Sequence, residues 1–291
     1  MKVGIIGSGG WGSALAVAIK RAGHDCVLWS HSGTLGAEAR KQCNIDEITN
    51  TPITTNFSDL TDADVWLMVT PSEFYYETMQ KSRPFWNNQP IIICAKGIGP
   101  RGGLKSAGLS EIFGSDVNVG MFSGPQYAAE VSDGKLTGST VAGDDNIIRI
   151  GREIFREFVL EETDDIIGTQ LGGAGANVAA VLMGYLTENG AAENERALRI
   201  TQIWDEIRAI GRAIGARDET FAGLSGLGEL ILKSNSKTSR NYASGRDVAA
   251  GRAIIGTVEG VVATKGFLEL AKKAGVSCPN IEYLDEKIRG L

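Results

Sequence analysis

A chain of 291 residues is longer than most single domains and calls for about two. With 43% hydrophobic and 22% charged residues it can bury a sizeable core, and a formal charge of −6 with no Lys/Arg block argues against a nucleic-acid partner. Four cysteines without paired spacing (Cys26, Cys43, Cys94, Cys278) and only two histidines leave no zinc motif and suit a reducing cytoplasm.

The first segment, Met1 to Ile6, is a buried-strand run, so no secretory leader is expected. It passes directly into Gly7-Ser8-Gly9-Gly10-Trp11-Gly12, a G-x-G-x-x-G turn that opens an amphipathic helix. Each glycine has a task in a dinucleotide site: Gly7 for the tight turn, Gly9 for approach of the pyrophosphate, Gly12 for close helix–strand packing. The pyrophosphate belongs on the helix N-terminus near Gly10 and Trp11. Further apolar runs at Cys26–Trp29, Val65–Val69, Ile91–Cys94 and Val117–Met121 read as buried strands, with helical spacing over Pro71–Lys81 and Asn146–Phe158. This alternation predicts an α/β fold, a Rossmann-type parallel sheet domain over residues 1–165. Beyond it, helical patterns at Ala174–Tyr185, Glu193–Ile214, Asp218–Lys233 and Val258–Ala274 predict an all-helical substrate domain over 166–291. No apolar run reaches membrane-spanning length.

NAD-specific folds place a carboxylate on the ribose 2′-OH about twenty residues past the fingerprint. Here the strand ends Trp29-Ser30-His31-Ser32, with neither a carboxylate nor an arginine. NADP, or either cofactor, is therefore favoured over strict NAD, with His31 expected at the adenosine end.

The chain resembles the bacterial-type NAD(P)-dependent glycerol-3-phosphate dehydrogenases along nearly its whole length. The resemblance rests on Gly7 to Ala16, Val27 to His31, Ala95-Lys96-Gly97-Ile98, Ser123-Gly124-Pro125, Gln170 to Ala174, Gly223 to Gly228, Ser239-Arg240-Asn241 and Val258-Glu259-Gly260. Compared with that family the chain is short, both in its first domain and after Leu291. The resemblance implies NAD or NADP as cofactor and a small phosphorylated substrate, with hydride transfer to and from C2. A homodimer is compatible with it. Gly10, Trp11, His31, Gly124, Ala128, Val258 and Glu259 would contact the cofactor, with Lys96 and Arg240 also near it. Lys96 would polarise the substrate carbonyl, and Arg240 with Ser239 and Asn241 would hold the phosphate through charge-assisted bonds.

Departures from the family pattern cluster on the chemistry. Ala176 stands where the resemblance implies the catalytic lysine, in Gly173-Ala174-Gly175-Ala176-Asn177-Val178, while its neighbour Asn177 is kept. Glu229 stands for the aspartate after Gly-Leu-Gly, Gln126 for the Thr or Ser after Ser-Gly-Pro, and Lys233 for a Thr. Lys233 has two readings. It forms an exposed i,i+4 ion pair with Glu229, or it points into the volume beside Ala176 and restores an ammonium that could act as acid or base. Lys96, Lys233, Glu229 and Asn177 are thus the candidate catalytic residues, with Gln126 and Glu229 also at the substrate. Three functions follow: a dehydrogenase of glycerol 3-phosphate and dihydroxyacetone phosphate or a close phosphorylated polyol, with glycerol 3-phosphate turnover weak or absent if Ala176 leaves no acid or base, a dehydrogenase for another anionic 2-oxo or 2-hydroxy compound, or an inactive NAD(P)H-binding sensor.

Overall fold

The computed structural model describes residues 1–43, 48, 50–99, 102–234, 236 and 238–290. Contacts divide the chain into two units, Met1–Ala95 with Ser106–Asp164, and Lys96–Lys105 with Asp165–Leu291. The short return of Lys96–Lys105 to the second unit is invisible to a single cut near residue 165, because it depends on packing far along the chain.

In the first unit, eight strands form one sheet in the order β3-β2-β1-β4-β5-β6-β7-β8. They are β1 (Lys2–Ile6), β2 (Asp25–Trp29), β3 (Ile53–Thr54), β4 (Val65–Met68), β5 (Ile91–Ile93), β6 (Val119–Ser123), β7 (Gly138–Ala142) and β8 (Val159–Thr163). The inner strands are continuous apolar runs buried on both faces, as helix-covered parallel strands must be: all of β4 and β5 is buried. The sheet is mostly parallel, as expected, with one exception: β6 and β7 pair antiparallel, Phe122 opposite Val141, before β8 resumes parallel pairing. The sequence reading also missed β3, β7 and β8. β3 has two residues, β7 reads Gly-Ser-Thr-Val-Ala, and β8 is a mostly exposed edge strand carrying Glu161 and Glu162, so none shows an apolar run. The helices of this unit are α1 (Gly10–Arg21), α2 (Ala37–Gln42), α3 (Tyr75–Ser82), α4 (Lys105–Phe113, its first residue in the second unit), α5 (Ala128–Ser132) and α6 (Asp145–Ile154). α6 is started by the Asp144 carboxylate, which accepts from the Ile147 N–H at 2.9 Å. The order places the change of chain direction between β1 and β4, where open α/β sheets hold ligands at their carboxyl ends.

All regular elements of the second unit after Asp165 are helical: α7 (Ile166–Glu188), α8 (Glu193–Ala213), α9 (Asp218–Ala222), α10 (Glu229–Ser234), α11 (Arg240–Ala249), α12 (Glu259–Ala274) and α13 (Pro279–Arg289). Asp165 caps α7, accepting from the Gly168 N–H at 2.7 Å, and its other oxygen accepts from the Arg217 N–H and the Thr220 hydroxyl. Contrary to the expectation that no apolar run is long enough, α7 is long and apolar enough to cross a membrane by length and composition. Its most apolar window is 89% buried within the fold, as expected of a central core helix. Leu171, Val178 and Leu182 of α7 share a core with Ile203 and Ile207 of α8 and Phe267 of α12.

The expected single helix over Asp218–Lys233 is broken. A π-helical turn at Leu224–Gly228 separates α9 from α10. Glycines make this turn possible: a Cβ on Gly226 would collide with the Phe221 carbonyl. Such bulges are frequent at functional sites, and this one is followed directly by Glu229.

α7 and α11 meet backbone to backbone. A Cβ on Gly245 would run into the Val181 carbonyl oxygen, and one on Gly184 into that of Tyr242. We expect Gly245→Ala to destabilise the protein by at least roughly 1–3 kcal/mol, the usual cost of overpacking, read as a lowered midpoint in urea. An unchanged midpoint would mean the helices are not in this contact.

Candidate active site

In the first unit the Gly-rich turn joins β1 to α1. Gly7 sits at φ +128, and its N–H donates to the Trp29 carbonyl at 3.0 Å, fixing the turn to the end of β2. A Cβ on Gly12 would clash with the Gly7 carbonyl, so only glycine lets α1 start this close to β1. Nothing lies within 4 Å of a Cβ placed on Gly9. The N-terminus of α1 has no side-chain cap and no acidic residue in its first turn, leaving its N–H groups and positive dipole end for an anion. These residues fit a dinucleotide pyrophosphate. Trp11 leans the other way, its indole N–H donating to the Cys94 carbonyl at 2.9 Å beyond β5.

Gly9→Asp is a clean probe of this turn, because the free fold has room for the side chain. Cofactor fluorescence titration is expected to show loss of NAD(P)H binding with native-like circular dichroism. Normal binding by the variant would remove the pyrophosphate from this turn.

The end of β2 carries hydroxyls in place of a carboxylate. Ser30 Oγ donates to the Thr34 carbonyl at 2.7 Å, Ser8 Oγ to the same carbonyl at 3.1 Å, and the Ser32 and Thr34 hydroxyls lie 3.1 Å apart. His31 is exposed beside them, its ring tilted against Trp29 at 6.5 Å. At the end of β6, Gly124 packs on Ser139, whose Cα would be 2.7 Å from an added Cβ. Gln126 is buried and its amide N–H donates to the Ser139 hydroxyl, while Gln126 Oε1 and Ser123 Oγ have no hydrogen-bond partner among the described residues. Ala128 opens α5 in the same region.

In the second unit, residues far apart in sequence meet in one buried charge cluster. The Glu229 carboxylate, 0% exposed, pairs with Lys96 through Oε1 and with Lys233 through Oε2, the latter at 2.9 Å. Lys233 Nζ also donates to Asn177 Oδ1 at 2.7 Å. Asn241 Nδ2 donates to the same Asn177 oxygen at 2.8 Å, and Asn241 Oδ1 accepts from the Gly260 N–H at 2.9 Å. Two ammonium groups thus share one carboxylate, held by an amide chain that ties α7, α10, α11 and the start of α12. Gly260 permits this approach, since a Cβ there would lie 2.5 Å from the Asn177 carbonyl. A buried charge persists only if paired and hydrogen-bonded, and this one is both.

The exposed-pair reading of Lys233 is therefore incorrect: the side chain is 9% exposed and faces Asn177. Helical spacing gave the i,i+4 pairing correctly but not the face, because the π-helical turn before Glu229 rotates α10 in a way that spacing cannot reveal. Ala176, on the next position of α7, is completely buried in the apolar core. Asn241, expected at the phosphate, uses its amide oxygen and one of its two amide N–H groups within the protein. Ser239 caps α11 by accepting from the Tyr242 N–H. Arg240, first residue of α11, is exposed and forms no hydrogen bond or ion pair among the described residues. Val258 is the N-cap residue of α12 and Glu259 its first residue.

Sequence reasoning missed two braces on the Lys96 loop. Gln170, fully buried on α7, donates from Nε2 to the Gly97 carbonyl at 3.2 Å, and Lys105 Nζ donates to the Lys96 carbonyl at 3.3 Å. A buried Gln in an otherwise apolar helix was the available signal for the first.

The profile of the NAD-dependent glycerol-3-phosphate dehydrogenase N-terminus matches residues 2–148 and that of the C-terminus residues 165–288. The chain belongs to this family. Among curated relatives, the glycerol-3-phosphate dehydrogenase (NAD(P)+) of Rhodospirillum rubrum is 31% identical, over 95% of this chain and 85% of its own length. That of Mesorhizobium japonicum is 34% identical over 96% and 85%. The crystal structure of glycerol-3-phosphate dehydrogenase from Coxiella burnetii superposes with a TM-score of 0.87 at 26% identity, covering 97% of this chain and 93% of that one. The family is NAD(P)-dependent and acts on a CH–OH group.

Proposed function

We propose that this chain is an NAD(P)-dependent dehydrogenase interconverting glycerol 3-phosphate and dihydroxyacetone phosphate, with Lys233 as its acid and base. The observation that carries this reading is the buried Lys96–Glu229–Lys233 cluster bonded to Asn177. Bound NAD(P)H supplies the hydride. As the carbonyl is reduced at C2, its oxygen gains negative charge and must take up a proton. Two ammoniums against one carboxylate leave a net positive charge at the cluster, the sign that stabilises such an oxygen. Lys96 polarises the carbonyl, and Lys233 Nζ gives its proton to the nascent alkoxide and recovers one from solvent. In the oxidative direction neutral Lys233 takes the hydroxyl proton. Glu229 holds both ammoniums, and Asn177, oriented by Asn241, fixes Lys233.

Arg240 binds the phosphate as a point of exposed positive charge, unpaired among the described residues, at the start of α11, with the helix dipole reinforcing it. Gln126 Oε1, buried without a partner among the described residues, accepts from a ligand N–H or O–H. His31 and the Ser30, Ser32 and Thr34 hydroxyls receive the adenosine ribose. A group of hydroxyls without a carboxylate accommodates a 2′-phosphate as readily as a 2′-OH. Four free cysteines, all buried, support a cytoplasmic location.

The test is absorbance at 340 nm with purified protein, NADH or NADPH, and dihydroxyacetone phosphate beside a panel of sugar phosphates and 2-oxo acids. Oxidation of the cofactor with dihydroxyacetone phosphate is expected. Turnover confined to an unphosphorylated 2-oxo acid, or cofactor binding without any turnover, would replace this reading.

A further inference from the structure

Lys105 is a large charged side chain that the reaction above does not use. It is 1% exposed, at the first turn of α4, and its Nζ reaches the Lys96 carbonyl at 3.3 Å. Burial lowers its pKa to about 8 from an ordinary 10.5, and the Glu259 carboxylate on α12 opposes that shift. The sign is informative. A lysine whose folded pKa is lowered binds fewer protons folded than unfolded between about 8 and 10.5, so it opposes folding below about pH 8 and ceases to do so as pH rises through that window. At neutral pH the fold therefore carries this ammonium at a cost that an apolar side chain of similar volume would avoid. A group kept against stability next to a reacting residue points to function.

The surroundings give that function a geometry. Described residues around Lys96 are tied to the helices: Gln170 donates to the Gly97 carbonyl, and a Cβ on Gly266 would lie 2.5 Å from the Gly99 carbonyl, while the Gly99 N–H donates to the Gly103 carbonyl at 3.0 Å. Lys105 acts on the residue whose own side chain pairs with Glu229. We infer that Lys105 is a positioning residue, which grips the Lys96 backbone and so fixes where the Lys96 ammonium stands relative to Glu229. The charged group that acts on it is Glu259 at the start of α12, while its contact with Lys96 is to the backbone carbonyl. This rests on the proposed role of Lys96 at the carbonyl. Displacing Lys96 weakens an interaction that grows only as the oxygen gains charge, so kcat and kcat/KM should fall together with KM unchanged.

The experiment is Lys105→Met, with kinetics on dihydroxyacetone phosphate, thermal unfolding at pH 7 and a crystal structure of the variant. A tenfold or larger loss in kcat, KM within about twofold, a Tm raised by several degrees and a Lys96 side chain moved off Glu229 are expected. A purely structural lysine would move Tm and leave kcat untouched, which would overturn the inference. Should the wild type prove inactive on every substrate, the catalytic reading fails separately, and the structure of the variant decides: Lys96 displaced from Glu229 upholds the grip, Lys96 in place overturns it. If Lys105→Met does not fold, Lys105→Gln carries the same comparison.

Discussion

Lys233→Ala is expected to lower kcat for dihydroxyacetone phosphate by about 10²–10⁴, the usual contribution of a positioned general acid–base group. The fold should survive the change. Glu229 keeps Lys96 as its counterion, and Asn177 keeps the Asn241 amide as a donor, so no buried charge is left unpaired. Glu229→Ala would be a poorer test, because it strips two buried ammoniums of their carboxylate and confuses folding with catalysis. Had Lys233 been one half of a solvated helix pair, its removal would cost about 0.2–0.5 kcal/mol of stability and leave the rate intact. The two readings thus differ by orders of magnitude in kcat.

Arg240→Ala should raise KM for dihydroxyacetone phosphate by roughly ten- to a thousand-fold, corresponding to about 1.4–4 kcal/mol for a charge-assisted contact. Its guanidinium has no partner to lose among the described residues, so stability should be unaffected and the whole effect should appear in ligand binding. Initial-rate kinetics on a phosphorylated substrate and its unphosphorylated analogue separate the contributions: only the phosphorylated compound should respond. Equal KM values for wild type and variant would place the phosphate elsewhere.

Much of this was legible in the chain itself. The dinucleotide turn could be read because its glycine spacing answers separate steric demands, and the structure shows such demands at Gly7 and Gly12, while Gly9 borders open space. The inner strands and long helices were legible from apolar continuity and period. What escaped depended on tertiary context. β7 is buried but reads Gly-Ser-Thr-Val-Ala, and the edge strand β8 buries little, so neither shows an apolar run. Glu229 and Lys233 could be paired by spacing, yet they follow a π-helical turn that requires Gly226 and that spacing does not reveal. Asn177 could be placed beside the altered position 176, but its bond to Lys233 joins residues 56 apart. Lys105 could not be singled out at all, since nothing in Leu104-Lys105-Ser106 marks a buried lysine.

The central claim is that the ammonium missing at Ala176 is supplied by Lys233. Its most direct measurement is kcat for dihydroxyacetone phosphate reduction by wild type and Lys233→Ala, each with and without added methylamine at fixed pH and ionic strength. The account predicts a fast wild type indifferent to the amine, and a slow variant whose rate rises with amine concentration as the free ammonium replaces the lost one. A Lys233→Ala protein as fast as wild type without amine would contradict it.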